Sequence, residues 1–122
     1  MRAVLEGVAF GRCDGLDLVG AVSSRPDLGR VSGGRAGGEL WLRILASVLE
    51  LPLQPMAVDE GAAFGAALLG GVAAGLFADV HAAVGACVAP GEIVEPVEDW
   101  IEPYRATRER FAALYPALHP RA

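Results

Sequence analysis

Apolar residues recur along this chain with helical spacing in four places and run together briefly in two others. Over residues 2–21, Val4, Leu5, Val8, Ala9, Leu16 and Val19 fall on one stripe and predict a first helix. The loop Ser23-Ser24-Arg25-Pro26-Asp27 follows, because Pro26 biases Arg25 away from helical angles. Leu28 to Ser32 reads as a short strand that runs into the glycines Gly33, Gly34, Gly37 and Gly38. From Glu39, the residues Leu40, Trp41, Ile44, Leu45, Val48 and Leu49 give a clean helical face that Pro52 closes. Leu53 to Val58 is a weaker strand, and Pro52 and Pro55 mark it as an edge or irregular one.

Asp59 is placed to cap a third helix rich in alanine and glycine, with Gly75 at its end. Its glycines each cost about 1 kcal/mol relative to alanine. At Gly61 and Gly65 that cost points to close backbone packing, or less readily to a ligand contact. Asp79 caps a short helix reaching about Val88, with Val80 and Val84 turned inward. Pro90 to Asp99 is an acidic connector, and a last helix over about 100–114 carries Tyr104, Phe111, Leu114 and Tyr115 as a docking stripe. The order is α-β-α-β-α-α-α. Two parallel strands flanked by helices would leave an apolar sheet edge without a partner. Nothing caps the helix that begins at Arg2, as expected of a segment taken from a longer chain.

Composition narrows the function. With 122 residues and 53% apolar content, the chain is one domain with a modest core. Its net charge of −5 argues against nucleic acid, which demands a basic stripe. The alanine-rich stretch 62–78 is broken by glycines and is too short to span a membrane, and the start of the chain lacks a signal-peptide pattern, so a cytoplasmic location is expected. Cys13 and Cys87 lie far apart without a Cys-x-x-Cys pair and read as buried free thiols, not a disulfide or a metal site. His81 and His119 read as solvated, and Glu60 as an acid satisfied by a helix N-terminus.

The candidate chemistry sits at the glycine run. A strand, a glycine turn and a helix start bring bare backbone N–H groups to one point, where a phosphate or ribose can be held. All ten basic residues are arginine, so the phosphate-gripping lysine of a Walker loop is missing, as is its spacing. The G-x-G-x-x-G spacing of dinucleotide-binding oxidoreductases is missing too. Arg35 is either a ligand contact or a solvated loop cation, and Trp41 reads as a core anchor.

Four segments, in order, resemble the C-terminal end of the FGGY family of carbohydrate kinases, most of all its xylulokinases. Arg2-Ala3-Val4-Leu5-Glu6-Gly7-Val8-Ala9-Phe10 is similar to the tail of that family's second signature. Val31-Ser32-Gly33-Gly34-Arg35-Ala36-Gly37-Gly38-Glu39-Leu40-Trp41 is similar to its adenosine motif. Glu60-Gly61-Ala62-Ala63-Phe64-Gly65-Ala66-Ala67-Leu68 resembles its E-G-A-A-x-G-A-A helix, and Tyr104, Phe111 and Tyr115 resemble its aromatic last helix.

The resemblance implies an α/β fold, part of the C-terminal lobe of an actin-like (ribonuclease H-like) ATPase, with two short strands and about five helices. Residues 1–91 would belong to the nucleotide-binding lobe, and 92–122 would form an acidic connector and a docking helix. It implies ATP/ADP binding at Gly33, Gly34, Arg35, Ala36 and Gly38. Arg35 replaces a third glycine, Gly38 replaces a serine or asparagine, and Ser47 replaces a common aspartate. The sugar site, the general base and the ligands of Mg2+ would lie upstream of residue 1, so no catalytic or metal-binding residue is assigned here. The expected partners are a nucleotide and either the missing N-terminal kinase lobe or a second copy of the chain. The alternative is a non-catalytic interaction or structural module derived from a kinase lobe.

Overall fold

The computed structural model describes residues 2–32, 38–57 and 61–119. Its elements are α1 (Arg2–Val22), β1 (Gly29–Val31), α2 (Glu39–Leu49), β2 (Leu53–Pro55), α3 (Ala62–Ala73), α4 (Val80–Cys87) and α5 (Glu98–Leu118). The order expected from the sequence is the order found.

Helix α2 is the centre. Its apolar face was legible, but the helix is buried almost all round: Leu42 and every residue from Ile44 to Leu49 are enclosed. A helix apolar on one stripe needs one neighbour, whereas one buried on every side needs several. Here α1 and α5 both pack on α2, and Leu51 and Leu53 join the same core. The helix ends at Glu50, which adopts a left-handed conformation (φ 49°, ψ 45°), and the Leu51 N–H bonds to the Ala46 carbonyl at 3.1 Å. Such a cap satisfies the last carbonyls before Pro52 forbids another turn. Arg25, from the loop after α1, donates to the Leu49 carbonyl and completes that end.

The buried stripe of α1 differs from the expected one. Ala9, Phe10 and Cys13 are buried, with Leu5 and Leu16 packed beside them, while Val4, Val8 and Val19 remain 69%, 44% and 50% exposed. The helix therefore has two apolar faces, and periodicity merged them into one. Phe10 meets Tyr104 edge-on and Phe111 at a tilt, with ring centroids 6.1 and 5.4 Å apart. Polar contacts fix the same pair of helices. Arg108 reaches Asp14 and Asp17 at 2.7 and 2.6 Å. At the other end the Tyr104 hydroxyl accepts from Arg2 at 2.8 Å and donates to Glu6 at 3.1 Å.

Strands β1 and β2 are parallel, in the register Gly29↔Leu53, Arg30↔Gln54 and Val31↔Pro55. The acidic connector is more than a solvated tether. It bridges β2 in antiparallel fashion at Leu53↔Val94 and Met56↔Pro90, with Leu53 and Val94 exchanging both backbone hydrogen bonds at 3.0 and 2.7 Å. Its glutamates Glu92 and Glu95 stay exposed. Among the described residues, no strand pairs with the other side of β1.

Ser47 ties the connector to α2. It is 1% exposed, donates to the Arg43 carbonyl at 2.7 Å and accepts from the Val97 N–H at 2.9 Å. Ser47→Ala would strand that N–H, and a loss of about 1–2 kcal/mol in urea unfolding is expected.

Helix α3 packs on α4. Gly75, at φ 78°, follows its C-cap, and Asp79 Oδ1 accepts from the Ala82 N–H at 2.8 Å to cap α4, both as read from the sequence. Other expectations fail. Val80 and Val84 are 46% and 41% exposed, and α4 buries the small Ala83 instead. A Cβ added at Gly61 or Gly65 would meet nothing within 4 Å among the described residues, so neither is a close-packing glycine there; Gly71, against the Phe77 ring at 3.0 Å, is one. The capping role read for Asp59 and the placement of Glu60 lie outside the described residues. Helix α5 is longer at both ends than expected. Glu98 and Asp99 suit its positive N-terminus, and Pro116 falls in its final turn, where the helix is already ending. Half of its docking stripe docks: Tyr104 is buried and Phe111 lies against Phe10, but Leu114 and Tyr115 are 55% and 73% exposed.

Candidate functional site

The site expected from the sequence lies between the end of β1 and the start of α2, and both walls are firmly held. Val31 accepts from the Met56 N–H at 2.9 Å, which fixes the end of β1. The Gly38 carbonyl accepts from Leu42 N–H at 3.0 Å and begins α2. Gly38 is extended (φ −95°, ψ 106°) and has no side chain to cap the helix. The N–H groups of Glu39, Leu40 and Trp41 therefore precede the helical bonding pattern and have no acceptor among the described residues. Glu39 itself is held by Arg43 at 3.6 Å, with its carboxylate largely in solvent.

Gly38 is exposed, as a nucleotide contact requires. Among the described residues a Cβ there would meet only the Trp41 Cβ, at 3.5 Å, an ordinary contact, so these residues leave room for a serine. Gly33, Gly34, Arg35 and Ala36, the other four residues expected to bind nucleotide, lie outside the described residues. Trp41 is half-buried against the core, the anchoring role read from its spacing.

Elsewhere several ionisable groups are engaged with one another. The Arg105 guanidinium bonds to Glu50 (2.7 Å from Nε to Oε1) and holds its carboxyl below the ordinary glutamate value. Burial pushes the Tyr104 hydroxyl up, and likewise the Cys13 thiol, whose Sγ lies 3.7 Å from the Val48 carbonyl. Cys13 is buried as expected, but Cys87 is only half-buried, and both thiols are free. His119 lies tilted against the Tyr115 ring, and both His119 and His81 are exposed. Among the described residues, no three His, Cys, Asp or Glu side chains gather as they would around a metal.

Two concavities flank α1. One, of about 310 Å³, lies where Cys13, Arg25, Tyr104, Arg105 and Arg108 converge, and each of its arginines already has a carboxylate or carbonyl partner. The other is an open groove of about 1020 Å³ running from Val4 and Val19 of α1 to Val31, Ser32, Gly38 and Trp41. It ends at Ser32 and Gly38. The Arg108 clamp and the Ser47–Val97 bridge were not legible in the sequence, because each joins residues fifty or more positions apart.

No helix among the described residues is long and apolar enough to cross a membrane. Residues 1–74 match the model of the FGGY family of carbohydrate kinases, C-terminal domain. The autoinducer-2 kinase of Photorhabdus laumondii is 32% identical over 115 residues, 93% of this chain and 22% of that protein. The xylulose kinase of Escherichia coli is 40% identical over 74 residues, 60% of this chain and 15% of that one. The crystal structure of xylulose kinase from Rhodospirillum rubrum superposes with a TM-score of 0.79 at 32% identity, covering 98% of this chain and 24% of that one. The chain thus spans about a quarter or less of the length of these relatives. Its two short parallel strands and five helices are an α/β unit of the actin-like ATPase fold that those kinases share. Matched by the family model over more than half its length, the chain belongs to the FGGY family of carbohydrate kinases, as their C-terminal domain.

Proposed function

We propose that this chain is the ATP/ADP-binding C-terminal portion of a sugar kinase that phosphorylates a ketose such as xylulose. Gly33, Gly34, Arg35, Ala36 and Gly38 form its nucleotide shelf. The observation that carries this reading is the exposed, uncapped start of α2 at Gly38, immediately after a glycine run, in a member of a kinase family. Backbone donors at a helix N-terminus suit a phosphate, and α2 is held by the burial of Leu42 and of Ile44 to Leu49. Arg35 supplies the positive charge at the nucleotide's edge, pairing with phosphate or stacking on adenine. Residues 1–91 belong to the nucleotide lobe, and 92–122 hold it together from outside.

The sugar site, the general base and the Mg2+ ligands belong to the remainder of the kinase. Phosphoryl transfer rests on positioning and charge neutralisation, and this chain contributes the positioning of the nucleotide. A cytoplasmic location, where ATP is plentiful, goes with this reading. Names among its relatives, autoinducer-2 kinase and xylulose kinase, leave the acceptor to be settled by assay. A calorimetric ADP titration of the 122-residue chain should give saturable binding, weakened tenfold or more by Gly34→Val, which puts a branched side chain where the backbone must approach the ligand. No ADP binding, or equal affinity in the variant, would refute the shelf. A coupled assay with ATP and xylulose should show no turnover from the chain alone. The second reading, a non-catalytic interaction module, is favoured by the outer side of β1, which pairs with no strand among the described residues.

A further inference from the structure

We infer that Arg43 is a positioning residue for the nucleotide: it draws the Glu39 carboxylate one turn along α2 and so keeps that anion off the backbone donors that a phosphate needs. The inference rests on the nucleotide shelf proposed above and adds a residue that acts on it through a neighbour, without touching the ligand.

Glu39 opens α2 and is the acidic residue of its first turn. That place sets two demands against each other. A carboxylate there suits the positive end of the helix, yet it competes with an anionic ligand for the same unpaired N–H groups. It also repels a diphosphate brought to that turn, because like charges a few ångströms apart oppose each other. Gly38, the N-cap, makes no side-chain bond that would occupy those donors first. Left to itself, the Glu39 carboxylate would be drawn onto the start of its own helix.

The structure holds it elsewhere. Arg43 Nη1 lies 3.6 Å from Glu39 Oε1 across the i,i+4 spacing, with the acid nearer the helix N-terminus, the favourable order for such a pair. Four residues of helix set Arg43 about 6 Å further along the axis than Glu39, away from the first-turn donors. The two side chains are 48% and 84% exposed, and a pair that open is weak unless the arginine is held a second time. Trp100 supplies that hold. The Arg43 guanidinium carbon lies 5.9 Å from the centroid of the Trp100 ring, within reach of its negative face. Trp100 is fixed in turn: it packs on the core, meets Tyr104 edge-on at 6.3 Å and carries the Arg2 guanidinium 4.4 Å over its ring. The first turn of α2 is thereby tied to the first turns of α1 and α5, and the tie pulls the Glu39 charge away from the proposed phosphate.

The test is a double-substitution cycle, read by calorimetric titration of the 122-residue chain with ADP. Arg43→Gln should raise the ADP dissociation constant about threefold to fivefold, with the circular dichroism of the free chain unchanged. Arg43→Lys, which keeps a cation within reach of Glu39, should bring it back to within about twofold of the unsubstituted chain. Glu39→Gln should bind ADP more tightly, and adding Arg43→Gln to it should change little further, because the anion to be restrained is gone. In about 1 M salt, where charges are screened beyond about 3 Å, the loss caused by Arg43→Gln should disappear. An equal loss with and without Glu39 would mean that Arg43 acts by its own charge, and a loss that survives high salt would mean a structural role; either overturns the inference. ADP binding that Arg43→Gln leaves unchanged would overturn it too and leave the nucleotide shelf standing. No ADP binding by the unsubstituted chain would sink the shelf and this inference with it.

Discussion

Ile44→Ala is expected to remove about 3–4 kcal/mol of stability, within the range for truncating a fully enclosed aliphatic side chain. Ile44 is 0% exposed at the middle of α2, among the largest fully buried side chains of the described residues. Its neighbourhood cannot collapse into the space. Helices α1 and α5 are fixed to each other by the Arg108 contacts with Asp14 and Asp17, and α2 is closed at its end by Glu50 and Arg25. A domain of this size is stable by about 5–15 kcal/mol in all, so the loss is a large share. Urea unfolding should show a lower midpoint at an unchanged slope. Leu40→Ala, on the same helix but 48% exposed, should move the midpoint little. A cost below about 1 kcal/mol for Ile44→Ala would mean that α2 is not the centre of the core. The consequence for function is direct, because α2 carries the proposed nucleotide donors at its first turn.

That helix was also the most legible part of the sequence. Leu40, Trp41, Ile44, Leu45, Val48 and Leu49 repeat with one period, and Pro52 stops them. The strand before it was equally plain, because an apolar run that ends at glycines is a local signal. What lay beyond local pattern was which apolar residues face inward. In α1 the residues Val4, Val8 and Val19 obey the helical period as well as Ala9 and Cys13 do, yet the first group borders an open groove and the second meets α2 and α5. Periodicity identifies a face but not its neighbour. The connector shows the same limit: 89–94 has no alternating pattern, and its pairing is set by the backbone groups of β2 and by Gly91, where an added Cβ would lie 2.9 Å from the Pro55 carbonyl oxygen. Of the proposed site, Gly38 falls at the N-cap of α2 as the turn chemistry suggested, while Gly33 to Ala36 lie outside the described residues.

Gly29→Val should cost about 3 kcal/mol, the upper end of the usual range for forcing extra atoms into a closed space. A Cβ at Gly29 would lie 2.7 Å from Leu53 Cδ2 and 3.1 Å from Leu51 Cδ2, and those two leucines are 2% and 5% exposed. The strain would fall on the β1–β2 ladder, in which Gly29 faces Leu53 and donates to the Pro52 carbonyl. The same geometry predicts its own suppressor. Leu53→Ala alone leaves a cavity, but combined with Gly29→Val it makes room for the new methyl groups. The double variant should therefore be more stable than the sum of the two single losses by about 1 kcal/mol or more, a coupling expected only of residues in contact. Arg30→Ala, one residue along and turned to the opposite face, should shift the melting temperature little. If the two losses simply add, Gly29 is not pressed against Leu53, and the close approach of β1 to β2 has some other cause.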